Sequence, residues 1–223
     1  MSTHRTLAFV GATGGAGTTR LTLETASLLS EVGDVCVVDA AFDTQGMARY
    51  LPDRLDPDAT QVALGEASLE EALVAFEGVD VCAARAPVER LARAKTPEAG
   101  ERYGRIIEGA ADAYDFVLVD VPPVASNPAF GALDAVAARA IVAPARAPEA
   151  LARTRDRLAD IEAYAAHTVL TRTDEGPADV TLPEAPSEVP AETGAFATAL
   201  RKLTNELFGT EFTVESSDGF SIL

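Results

Sequence analysis

Ten residues near the start of the chain, Gly11-Ala-Thr-Gly-Gly-Ala-Gly-Thr-Thr-Arg20, combine four glycines, three threonines and one base. The chemistry open to such a run is anion binding. Glycines let successive main-chain N–H groups converge on one point, and a helix starting where the run ends adds partial positive charge. Gly14, Gly15, Ala16, Gly17, Thr18 and Thr19 are therefore the candidate phosphate-binding residues. A phosphate loop normally ends Gly-Lys-Ser/Thr, and here the ending reads Gly17-Thr18-Thr19. Thr18 stands where a lysine would reach the β- and γ-phosphates, and Thr19 where a hydroxyl would ligate Mg²⁺. The cradle is kept and its cation is gone. Arg20 is the one base in the run, and side chains in a first helical turn lie back over the helix surface, so it reads as a surface arginine rather than a substitute.

Two acids complete the constellation. Asp39 ends the apolar run Val35-Cys-Val-Val-Asp39, and Asp120 ends Phe116-Val-Leu-Val-Asp120, just before Val-Pro-Pro123. A carboxylate at the end of a buried strand beside a phosphate loop can hold Mg²⁺, directly or through water. Thr19 and Asp120 are the candidate metal ligands, and Asp39 the candidate catalytic residue, positioning water or metal at the terminal phosphate.

Alternating elements must carry these residues. Strand-like runs fall at 6–11, 35–39, 79–83, 116–121, 140–143 and 168–170, with a last short one at 179–182. Helical spacing is clearest at 19–32, 68–76, 99–113, 148–164 and 193–208. Ser68-Leu-Glu-Glu71 is a capping box that opens the second of these helices. Strands and helices alternating at these lengths predict an α/β fold: a doubly wound, mostly parallel sheet with helices on both faces. Residues 1–208 read as one domain and 209–223 as an acidic C-terminal tail.

Taken together, the motifs resemble the ParA/MinD family of deviant phosphate-loop (P-loop) ATPases. The family's KGGxGK[ST] falls on Thr13 to Thr19, its DxPP on Asp120-Val-Pro-Pro123, and its DPQG on Asp43-Thr-Gln-Gly46. Leu64 to Leu73 and Asp134 to Pro144 resemble two further family segments, and the likeness runs from about Leu7 to Phe208. The resemblance implies ATP and Mg²⁺ as cofactors, a homodimer and a protein partner to be positioned. Three departures qualify it. Thr13 replaces the lysine that reaches across the dimer, Thr18 replaces the lysine used within the subunit, and the acid expected two residues after Asp39 is absent, the next being Asp43. Lysine-free loops similar to Gly14-Gly-Ala-Gly-Thr-Thr19 occur in the TadZ/CpaE branch, whose frequent response-regulator-like N-terminal domain has no room in this chain.

Composition bounds the rest. The net charge is −17 over 223 residues, and Lys95 and Lys202 are the only lysines, so 16 of 18 basic residues are arginine. An acidic, lysine-poor chain without tryptophan suggests a haloarchaeal type of sequence that works in concentrated salt. There the Debye length of about 3 Å at 1 M would stop the surface charge from repelling a nucleotide. Cys36 and Cys82 sit singly in apolar runs, and the expected role is a small buried hydrophobe. Met1 to Arg5 leads into the first strand without a signal peptide, and no run approaches the ~20 apolar residues of a membrane span, so the expected location is cytoplasmic. Arg139, Arg146, Arg153, Arg155 and Arg157 are interleaved with Glu149, Asp156 and Asp160, which reads as a salt-bridged surface and makes nucleic acid an unexpected partner. The tail is acidic, so no direct membrane anchor is expected, and Phe220, Ile222 and Leu223 are instead a candidate docking motif for a protein partner. The function expected is a nucleotide-responsive, slow or inactive ATPase that dimerises and positions a partner complex. The alternatives are a pseudo-ATPase scaffold that binds no nucleotide and an ATP-dependent amidoligase or synthetase of the same fold.

Overall fold

The computed structural model describes residues 4–51, 55–123 and 126–214. Its strands are β1 (Thr6–Gly11), β2 (Val35–Asp39), β3 (Val74–Phe76), β4 (Val79–Cys82), β5 (Phe116–Val121), β6 (Ala138–Pro144), β7 (His167–Thr171) and β8 (Val180–Leu182). They form one sheet in the order β3-β4-β2-β5-β1-β6-β7-β8. Every pairing is parallel except β3 with β4. The helices are α1 (Thr18–Leu29), α2 (Ala59–Leu64), α3 (Leu69–Ala72), α4 (Val88–Ala94), α5 (Pro97–Ala113), α6 (Asn127–Ala135), α7 (Ala150–Ala159) and α8 (Gly194–Phe208), with a 3₁₀ turn, η1, at Met47–Arg49.

The apolar strands are continuous because each face of the sheet is covered. Leu7, Phe9, Val35 and Val37 enter the core shared with α1 and α8, while Ala8, Val10, Cys36 and Val38 enter the core shared with α2 and α5. This is the doubly wound architecture expected. Both cysteines are buried in it.

The elements differ from expectation at several points. The helix expected over 68–76 ends at Ala72, and residues 74–76 pair antiparallel with β4. The capping box does form: the Ser68 hydroxyl accepts from the Glu71 N–H (3.3 Å) and the Glu71 carboxylate accepts from the Ser68 N–H (2.9 Å). It secures one turn of helix and no more. Glu77 and Gly78, with φ of 47° and 78°, make a two-residue hairpin that turns Val74–Phe76 into the sheet edge. Helix α7 starts at Ala150, with Pro148 lying before its N-cap Glu149 rather than in its first turn. The short helices α2, α4 and α6 were not anticipated. Helix α8 ends on Gly209, and the Asn205 side chain then ties down the following residues through Thr210 and Phe212. Phe220, Ile222 and Leu223 lie outside the described residues.

Candidate phosphate-binding site

The glycine run turns at the carboxyl end of β1, the central strand with β5 on one side and β6 on the other. In open α/β sheets such a reversal of strand order opens a crevice at the carboxyl edge. Here the crevice is a cleft of about 350 Å³ lined by residues 13–20, Ala41, Thr44, Gly46, Arg49, Tyr50, residues 120–123 and Arg172. All six candidate phosphate-binding residues line it. Gly15 and Gly17 have φ of 74° and 87°, left-handed values that a side chain would strain, and Gly17 is the N-cap of α1.

What holds the loop open comes from elsewhere in the chain. Three successive carbonyls are engaged by donors from outside the loop. Gly14 O accepts from Arg146 Nη2 (3.3 Å), Gly15 O from Arg172 Nη1 (3.0 Å), and Ala16 O from Thr171 Oγ1 (2.7 Å). In a trans peptide the next N–H points opposite to the carbonyl, so the Gly15 and Gly17 amides are turned away from these donors. The amides of Gly14, Gly15, Gly17, Thr18 and Thr19 find no acceptor among the described residues. Arg172 reaches its position with φ of 65°, uncommon for a residue with a side chain, a sign that its placement is imposed by the surroundings. All three donors lie at or just beyond the ends of β6 and β7, and Arg146 acts on the loop rather than in a salt-bridged surface. The other arginines of that group scatter, with Arg153 pairing with Glu149 and Arg139 donating to the Leu133 carbonyl.

The metal candidates meet on the other side of the loop. Thr19, in the first turn of α1, donates its hydroxyl to Asp120 Oδ2 at 2.5 Å. Asp120 lies level with Asp39 on the neighbouring strand, and both are buried. Asp39 is fully engaged: Oδ1 accepts from the Ala41 N–H (2.8 Å) and Oδ2 from the Ala84 N–H (3.2 Å). Its side chain does not line the cleft. Burial raises both carboxyl pKa values. For Asp39 the two N–H bonds oppose the rise, whereas for Asp120 the charge of Asp39 adds to it and the Thr19 hydroxyl lowers it. Asp39 is therefore the member held as the anion, and Asp120 is the one that takes a proton when no cation is near.

The remaining sequence questions have geometric answers. Arg20 is tied to Glu24 (2.8 Å) and to the Glu188 carbonyl, and Glu24 also accepts from the Ala191 N–H (2.7 Å). It straps the segment before α8 onto α1. Asp43 pairs with Lys95 and is not among the residues lining the cleft, so it does not replace the missing second acid. The Thr13 hydroxyl is buried without a hydrogen-bond partner. Thr18 is buried too, with Oγ1 only 2.9 Å from where a Cβ on Gly11 would stand.

No protein-family model and no curated protein matches the chain. Solved structures do. The septum site-determining protein MinD of Pyrococcus horikoshii, solved with Mg-ADP, superposes with a TM-score of 0.76 at 22% identity, over 91% of this chain and 95% of its own. A ParA family ATPase from Chlorobium tepidum gives 0.77 at 17% identity, over 91% and 99%. The fold is that of the MinD/ParA P-loop ATPases. Cobyrinic acid a,c-diamide synthase from Mycobacterium smegmatis, solved with an ATP analogue and magnesium, also shares it, with a TM-score of 0.71 at 20% identity over 90% and 92%. Among the described residues no helix is long and apolar enough to cross a membrane.

Proposed function

We propose that this chain is a MinD/ParA-like protein that binds Mg·ATP through main-chain amides, hydrolyses it slowly or not at all, and uses the bound state to dimerise and position a partner complex. The observation that carries the reading is the loop itself. Its carbonyls are held by Arg146, Arg172 and Thr171, and the amides of Gly14, Gly15, Gly17, Thr18 and Thr19, though not that of Ala16, which donates to the Thr13 carbonyl, are left without acceptors among the described residues, beside a Thr19–Asp120 pair at 2.5 Å. A turn kept only as scaffold has no need of such bracing.

In this reading Gly14, Gly15, Ala16, Gly17, Thr18 and Thr19 form the phosphate cradle, and Thr19 and Asp120 hold the metal. A bound Mg²⁺ would neutralise phosphate charge that no lysine meets. Asp120 must give up its proton to serve as a ligand, and Asp39, tied at both oxygens, fixes the loop after β2 and sets that proton's affinity. Without a lysine in the loop, charge developing on the transferred phosphoryl group lacks the contact the loop would supply, so turnover is slow. The acidic, lysine-poor surface suits molar salt, where it keeps the chain soluble without repelling the ligand. The lysine-free loop favours the TadZ/CpaE-like branch within this fold. A cytoplasmic site of action belongs to the same reading.

Calorimetry in molar KCl tests it. ATP with Mg²⁺ is expected to bind saturably in the micromolar to submillimolar range, about one to two decades weaker than with a lysine in the loop. Omitting Mg²⁺ should abolish most of the heat. No heat up to millimolar Mg·ATP would leave the scaffold reading in its place. The amidoligase reading, which rests on the shared fold with the diamide synthase, would instead show phosphate release only when a carboxylate-bearing metabolite and an amine donor are added.

A further inference from the structure

The cleft has a third arginine. Arg49 closes the η1 turn, whose N-cap Gly46 is already helical at φ −67°, ψ −32°. A Cβ on Gly46 would stand 3.3 Å from Thr19 Oγ1. In a 3₁₀ turn residues three apart eclipse one another, so Arg49 leaves the backbone on the face that looks onto Thr19. Arg49 lines the cleft with Thr19 and Asp120, and its side chain has no ion pair or hydrogen bond among the described residues, while its backbone N–H donates to the Gly46 carbonyl (3.3 Å). The other cleft arginines are committed: Arg20 to Glu24 and the Glu188 carbonyl, and Arg172 to the Gly15 carbonyl. The platform under Arg49 is fixed. Met47 is buried, and the Gln45 amide exchanges two hydrogen bonds with the Ala86 backbone (3.1 and 2.9 Å). A guanidinium on a fixed turn, facing a row of amides across a cleft, is matched to the end of a polyphosphate.

Resting on the phosphate-binding reading above, we infer that Arg49 is the cation that meets the terminal phosphate of a bound nucleoside triphosphate, in place of the lysines the loop lacks. It lines the cleft with Thr19 and Asp120, where the metal and the terminal phosphate would sit. It therefore distinguishes a triphosphate from a diphosphate, which the amides, meeting the inner phosphates, do not.

The test is to titrate the full chain and its variants with Mg·ATP and with Mg·ADP in molar KCl. Arg49→Ala is expected to lose about tenfold to a hundredfold in ATP affinity, with ADP affinity kept within about twofold. Arg49→Lys should recover part of the loss. Arg93→Ala removes the same charge from a residue paired with Glu66 away from the cleft, and should bind both ligands as the parent does. Because the Arg49 side chain is exposed and has no ion pair or hydrogen bond among the described residues, its variants should melt within a few degrees of the parent. If Arg49→Ala binds both nucleotides as the parent does, loses both equally, or loses no more ATP affinity than Arg93→Ala, the inference is overturned while the nucleotide reading stands. If the parent binds neither nucleotide, the reading itself fails and takes the inference with it.

Discussion

Thr18→Lys is expected to raise Mg·ATP affinity by about one to two decades, the worth of a charge-assisted contact, and turnover by about tenfold or more, because the same charge acts on the transition state. Thr18 opens α1, lines the cleft and sits beside Gly11, which has no side chain to obstruct a longer stem. The bracing of Gly14, Gly15 and Ala16 comes from Arg146, Arg172 and Thr171, so the substitution leaves it intact. Phosphate-release kinetics alongside calorimetry separate the two gains. Tighter binding with background turnover would place the remaining defect near Asp39, where the family's second acid is missing and Asp43 is held by Lys95.

Asp120→Asn should have opposite effects on binding and on stability. Binding loses its Mg²⁺ dependence, because the amide offers the metal no charge while the Thr19 hydroxyl keeps an acceptor. Stability above neutral pH should rise, by about 2–4 °C in melting temperature for each kcal/mol gained in a chain of this size. The sign follows from the raised carboxyl pKa of Asp120, caused first by burial and then by the neighbouring Asp39 charge. The folded state holds this proton more tightly than the unfolded chain, where an aspartate titrates near about 4. The stability linked to it is complete below that range and is lost as pH rises through the folded value. Melting curves against pH should therefore slope downward toward alkaline pH in the parent, and less so in Asp120→Asn. In the parent, Mg²⁺ should flatten the slope and bind more tightly as pH rises, since it takes the proton's place.

The parts of this molecule legible in the sequence are those written locally. The strands 6–11, 35–39 and 116–121 were readable to the residue because both faces of a parallel sheet are buried, so apolar runs are unbroken and end where the sheet ends. The glycine run and the acids after two of those strands were readable for the same reason, and Thr19 and Asp120 do meet although 101 residues separate them. The edge strand β3 was not. Ser68 opens a true helical cap, and Leu69, Leu73 and Phe76 continue its spacing by coincidence, while the Glu77-Gly78 hairpin signal pulls the chain back. Helices α2 and α4, at six and seven residues, are too short for periodicity to declare them. The bracing of the loop was the least visible feature, since Arg146 and Arg172 act on Gly14 and Gly15 from 132 and 157 residues away. Nothing near them in sequence says which way their side chains turn. The same distance hid the fate of Arg20, whose buried partner Glu24 is spoken for by the segment around Ala191.

Main-chain N–H groups and one metal are held to grip a triphosphate after the loop's own lysines have gone. Amide-resolved NMR on the labelled chain, titrated with Mg·ATP in molar KCl, addresses it atom by atom. The account predicts large downfield shifts of the Gly15, Gly17, Thr18 and Thr19 amide protons, saturating together and at the same concentration as the heat of binding. Heat of binding without movement of those amides, or no movement of them up to millimolar Mg·ATP, would contradict it.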